Sequence, residues 1–194
     1  YKFKDIAVPS FDEPSRIRTV ISADFDNDGY DEVFLNNIGE PNKLFKIFEN
    51  GVFQEIKLNN ALEPKGLGTG AAVADIDNDG VLELLISHGE SGLQPLSLFK
   101  FNSEEKTSYL RIRPLNMHGA PARGATVTLI TNKRKHSKTI DAGSGYLCQM
   151  EPVAHYGIRE NETEFKFKVK WTNGDEDLFD VKNLNETVIV RQSS

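Results

Sequence analysis

Short apolar runs bounded by Gly, Asn or Asp recur along the whole chain, and no segment carries the period of an amphipathic helix. Residues 19–22 (Thr-Val-Ile-Ser) and 32–35 (Glu-Val-Phe-Leu) flank a polar loop and predict the two strands of a hairpin. The arrangement returns at 70–73 (Gly-Ala-Ala-Val) and 83–86 (Glu-Leu-Leu-Ile). Further strands are predicted over 44–48 and 52–56, joined at Asn50-Gly51, a pair suited to a tight turn, and over 96–101. Beyond a polar linker at 103–106 the alternation changes register. Strands are expected at 109–113, 126–130, 165–171 and 187–190, within a set of about seven that suggests a small sandwich. The pattern is that of an all-β chain.

The strands belong to a repeat. Ala23-Asp24-Phe25-Asp26-Asn27-Asp28-Gly29 returns as Ala74-Asp75-Ile76-Asp77-Asn78-Asp79-Gly80, at an offset of 51 residues. A period near 50 built from about four strands is that of a β-propeller blade. The expected architecture is two four-stranded propeller-type blades over 1–103, followed by a small β-sandwich-like domain over 104–194. Propellers close with about four to eight blades, so residues 1–8 are expected to be the last strand of a third blade. Two blades leave a sheet face to be covered, by the C-terminal domain through its Phe165, Phe167 and Val169 side or its opposite face, or by further blades. The second case predicts an exposed apolar flank that includes Val20, Ile21 and Val73, and a chain that self-associates through it.

Composition narrows the class. With 38% hydrophobic and 27% charged residues in 194, the chain can build a core and has no disordered bias. No apolar run approaches the ~18–20 residues of a membrane span. The chain starts at Tyr1 without a signal segment, as a processed product or a fragment would. A single cysteine, Cys148, excludes a disulfide scaffold; burial as a free thiol is expected, with a partner in another segment as the alternative. The net charge of −6 is local: the loops at 24–32 and 75–83 hold nine of the 29 acidic residues, which leaves 20 acidic against 23 basic elsewhere. No basic face of the extent that nucleic acid requires is present.

Those loops carry the candidate chemistry. Carboxylates at positions 1, 3 and 5 of Asp-x-Asp-x-Asp-Gly converge when the chain curls around a cation, and the glycine permits the curl. All-oxygen donors suit Ca²⁺ better than a softer metal. An EF-hand is excluded, because position 12, where it needs a bidentate Glu, is Leu35 or Ile86, and no helices flank the loops. The acid falls at position 9 instead, opening the next strand. Two Ca²⁺ sites are expected: Asp24, Asp26, Asp28, Glu32 and the Tyr30 carbonyl, and Asp75, Asp77, Asp79, Glu83 and the Val81 carbonyl. Asp31, whose counterpart is Leu82, is expected to be a solvated bystander.

The two repeats resemble the FG-GAP or VCBS type of calcium-loop propeller repeat, with Ala61 to Gly70 and Ser87-His88-Gly89-Glu90 adding to the likeness. Arg123-Gly124-Ala125 and the run Gly143 to Gly157, with its Gly-Ser-Gly-Tyr-Leu, resemble the ASPIC/UnbV domain. The pairing in this order is similar to the cartilage acidic protein family. That resemblance implies a secreted, calcium-binding matrix glycoprotein with a propeller of about seven blades. This chain would be its C-terminal part, with the remaining blades of the parent chain as neighbours; most blades and any EGF-like module are lacking here.

The lead functional reading is an extracellular interaction module that binds proteins or glycans, with Ca²⁺ as structural cement and no catalysis. The alternatives are a scaffold fragment of a larger secreted hydrolase and a lectin-like sugar binder. Asn161 and Asn185 head N-glycosylation sequons. Lys133-Arg134-Lys135-His136 with Lys138 reads as a solvated hairpin tip, or else as a contact for sulfated polysaccharide. His88 near Glu90 and His155 near Glu151 lie in no nucleophile motif and read as structural.

Overall fold

The computed structural model describes residues 2–48, 51–89, 92–102, 107–141 and 143–193. A four-residue helix, α1 (Pro9–Asp12), precedes β1 (Ile17–Ala23), β2 (Glu32–Asn37), β3 (Lys43–Ile47) and β4 (Phe53–Ile56). These strands form one antiparallel sheet in chain order. After a 3-10 turn at Asn59–Leu62, a second antiparallel sheet follows: β5 (Gly68–Ala74), β6 (Glu83–His88) and β7 (Ser97–Lys100).

The period of two along a strand decides how these sheets meet. Ile21, Phe34 and Leu44 line up across three strands of the first sheet and share a core with Ala71, Leu84 and Ile86 of the second. The other face of the first sheet is covered from the N-terminal side. Phe11 of α1 sets its ring 5.1 Å from Phe45 and 4.8 Å from Phe53.

The remaining strands are β8 (Ser108–Leu115), β9 (Thr126–Ile130), β10 (Lys135–Thr139), β11 (Ala154–Ile158), β12 (Lys166–Lys170), β13 (Glu176–Asp180) and β14 (Thr187–Arg191). They form a four-stranded sheet, β10-β9-β12-β13, and a three-stranded one, β11-β8-β14, in which β14 runs parallel to β8. Leu110, Ile112, Ala154 and Tyr156 of the smaller sheet meet Val127, Leu129, Phe167 and Val169 of the larger in a second core. The pattern did not locate β10, β11 or β13. β10 (Lys-His-Ser-Lys-Thr) and β13 (Glu-Asp-Leu-Phe-Asp) are edge strands, where charge blocks further pairing and erases the apolar alternation.

Several expectations are corrected. The second sheet has three strands among the described residues, not four, because only residues 101–107 separate β7 from β8. Residues 2–8 form no strand: they find no ladder to pair with, and Phe3 and Ile6 lie exposed. Of the predicted apolar flank, Val20 is 56% exposed, but Ile21 is 2% exposed and Val73 packs against the shared core. Strand alternation puts Val20 and Ile21 on opposite faces. Phe167 and Val169 are buried and Phe165 half-buried in the sandwich's own core, so that side is not free to cover the repeat sheets. Asn50 and the linker at 103–106 lie outside the described residues.

Candidate metal centre

Each acidic loop joins the first two strands of its sheet, and the two adopt the same curl. Positions 4 and 6 are left-handed in both: Asn27 (φ 57°) and Gly29 (84°), Asn78 (61°) and Gly80 (85°). Asn and Gly are the residues that tolerate this region, which is why Asn-Asp-Gly recurs. The carboxylates also tie the loops together. The Gly29 N–H donates to Asp24 Oδ2 (3.0 Å), as Gly80 does to Asp75 Oδ2 (3.0 Å). Glu32 Oε2 accepts from the Phe25 N–H (2.9 Å), and Glu83 Oε2 from Ile76 (2.7 Å).

Asp24, Asp26 and Glu32 bring one carboxylate oxygen each to within 4.8 Å of one another, and Asp75, Asp77 and Glu83 do the same. Asp28 and Asp79 stand outside these triads; their Oδ1 atoms accept the N–H groups of Tyr30 and Val81, both at 2.9 Å. The Tyr30 ring lies under the Arg159 guanidinium, 3.4 Å from the centroid.

The first triad is under-satisfied in a way that suits a hard cation. Asp24 and Glu32 are each 1% exposed, and Asp24 Oδ1 and Glu32 Oε1 are buried without a hydrogen bond. A buried, unpaired carboxylate oxygen is costly. Burial first, then neighbouring acids, pushes Glu32 up to about 9; burial pushes Asp24 up to about 7. Without a cation these groups hold protons more tightly than the unfolded chain does, so their contribution to stability fades as pH rises through those values. A divalent ion must displace those protons. Its affinity for the first loop is therefore expected to climb between about pH 6 and 9, with proton release that depends on buffer ionisation heat in calorimetry.

A lysine faces each triad from the neighbouring strand. Lys46 stands opposite Glu32 in the β2–β3 register, and Lys100 opposite Glu83 in β6–β7. Lys46 Nζ is 2.7 Å from Asp26 and also pairs with Asp28. Lys100 Nζ is 2.7 Å from both Asp77 and Asp79 and 2.9 Å from Glu83 Oε1. Burial works against the charge on Lys46, but the hydrogen bonds to Asp26 and Asp28 outweigh it and hold the ammonium above its usual range. These ammonium groups compete with a metal for the same oxygens. Lys46→Met is expected to raise calcium affinity about tenfold, the worth of one charge-assisted hydrogen bond, as read by titration calorimetry. The register that selects these lysines is set by strand pairing, so no motif announces them.

A family model for the FG-GAP-like repeat matches residues 24–86, and one for ASPIC and UnbV matches 116–194. Cartilage acidic protein 1 of Mus musculus is 49% identical over 182 residues, 89% of this chain. This chain is a homologue of cartilage acidic protein 1. The proteins of that name from Homo sapiens and Xenopus tropicalis are each 48% identical over the same share of the chain. The chain spans about 28% of the mouse relative's length. A C-terminal fragment of the pilus adhesin SpaC from Lactobacillus rhamnosus GG aligns with 74% of this chain and 55% of its own, at 13% identity and a TM-score of 0.24.

Asp31 and the basic cluster depart from expectation, whereas His88 and His155 make structural bonds as expected. Asp31 is no bystander: it pairs with Lys138 at 2.7 Å. Arg134 donates to the Gly29 carbonyl and the Gly157 carbonyl (2.7 Å) and pairs with Glu162 (2.7 Å). Two of the five residues of the basic cluster, Arg134 and Lys138, are thus engaged with the first loop, while Lys133 and Lys135 remain exposed. His88 bonds the Pro95 carbonyl (2.8 Å) and Glu63 (3.1 Å); Glu90 lies outside the described residues. His155 bonds Asn27 (2.6 Å), and Glu151 pairs with Arg111 instead. Cys148 is a half-buried free thiol, and Asn161 and Asn185 are both exposed.

Proposed function

We propose that this chain is an extracellular interaction module stabilised by two calcium ions, secreted to the matrix or cell surface and binding a protein or glycan partner without catalysis. Residues 1–103 act as FG-GAP-type propeller blades that stack with the other blades of a parent chain, and residues 104–194 as the ASPIC/UnbV unit. The two separate cores support this division. Kinship with cartilage acidic protein 1 supports the matrix location. Among the described residues no helix is long and apolar enough to cross a membrane. Exposure of Asn161 and Asn185 suits glycosylation at the surface.

One observation carries the calcium reading: the same curl and the same convergent triad occur twice, with buried oxygens on Asp24 and Glu32 that accept no hydrogen bond. Asp24, Asp26, Asp28 and Glu32 would hold the first ion, with the Tyr30 carbonyl. Asp75, Asp77, Asp79, Glu83 and the Val81 carbonyl would hold the second. Bound calcium would neutralise carboxylates that otherwise repel and would lock the curl. Calorimetry on chelator-stripped protein should give two ions per chain, and no heat would refute the reading. The non-catalytic reading rests on both ring nitrogens of His88, and Nε2 of His155, being engaged in structural bonds.

A further inference from the structure

The C-terminal sandwich meets both loops with directional contacts. At the first loop, the Gly157 N–H of β11 donates to Asp24 Oδ2 (2.9 Å), the same oxygen that holds Gly29. Asn27 is 2% exposed: its Oδ1 faces His155 Nε2 (2.6 Å), and its Nδ2 donates to the Gly80 carbonyl of the second loop (2.8 Å). At the second loop, Arg111 of β8, 1% exposed, sets Nη1 3.0 Å from Asp75 Oδ2 and pairs with Glu151. A Cβ on Gly80 would lie 1.9 Å from the Tyr109 ring, and one on Gly157 2.4 Å from Asp24. The Tyr109 and His155 rings stack, with centroids 6.1 Å apart, beside the Asn27–Gly80 bridge.

We infer that the paired loops are the docking seat of the C-terminal β-sandwich, and that cation loading of the loops tightens this joint. The inference rests on the calcium reading above. Its physical basis is shared atoms: the position-1 carboxylate of each loop serves the curl through one glycine N–H and the sandwich through Gly157 or Arg111. Anything that opens the curl moves the Asn27 amide, the Gly29 and Gly80 backbone and these carboxylates away from partners fixed in the sandwich. Coupling of this kind is reciprocal, so the docked sandwich must also raise the affinity of the loops.

The repeat supplies its own control. Asn78 has the same loop position and the same left-handed φ as Asn27 but is exposed, whereas Asn27 is buried in the joint. Asn27→Gly and Asn78→Gly make the same backbone change without touching a carboxylate. The full chain and both variants would be studied by calcium calorimetry and by amide hydrogen exchange with calcium or chelator. The expected result is that calcium slows exchange at Gly157 at least tenfold while core amides such as Val127 and Val169 change little. Asn27→Gly should weaken calcium binding about fivefold or more and abolish most of the Gly157 effect, and Asn78→Gly should do neither. If calcium binds but Gly157 exchange is unchanged or faster, or if both variants behave alike, the joint is independent of the cation and this inference fails while the calcium reading stands. If no calcium binds, both fall.

Discussion

Chelating calcium is expected to lower the melting temperature of this chain by about 10–20 °C. A ligand at ~100 times its Kd adds about 2.7 kcal/mol per site by mass action, and a chain of this length shifts by about 2–4 °C per kcal/mol. The effect should fall on the repeat sheets, whose strands β1–β2 and β5–β6 are joined through the loops. Asp77→Ala isolates the second site, because the Asp77 side chain is 58% exposed and its loss removes, besides a ligand, only a surface ion pair with Lys100 of small worth. That variant should melt lower in calcium and almost unchanged in chelator, in scanning calorimetry at fixed pH. A melting temperature that ignores chelator would remove the structural role of the cation.

Arg111→Met should be the most damaging single substitution away from the acidic loops. Arg111 is 1% exposed and stands between Asp75 and Glu151, with Nη1 also 3.1 Å from the Thr187 hydroxyl. Removing one partner of a buried ionic cluster leaves uncompensated charge and costs about 3–5 kcal/mol. Bound calcium would neutralise Asp75 independently, so the loss read from urea unfolding should be largest in chelator and smaller in calcium. Adding Glu151→Gln to the variant should recover part of it, because Glu151 is the other unpaired acid. Equal losses with and without calcium would mean that Asp75 takes no part in cation binding.

How much of this was legible in sequence follows from the range of the forces involved. The curl of each loop is local: Asn at position 4, Gly at position 6 and carboxylates at 1, 3, 5 and 9 decide it within nine residues, so it was readable twice. Short apolar runs between turn residues likewise gave β2 and β5, and period-2 alternation gave β9 and β12. Polar edge strands β10 and β13 escaped, because their lack of alternation is what protects a sheet edge.

Tertiary structure alone decided which charges meet. Lys46 and Lys100 reach the triads through strand register, and Arg111, Arg134 and Lys138 reach the loops from 36 to 107 residues away in sequence. The reading of Asp31 and the basic cluster as solvated followed from local composition, which carries no information about such separations. The sequence by itself determined the all-β class, the repeat and the curl of its two acidic loops, because each is written in short-range pattern. The joint between the loops and the sandwich was decided only when two cores formed and set β8 and β11 against Asp24 and Asp75, since long-range charge pairs and close glycine contacts exist only after packing has fixed both sides.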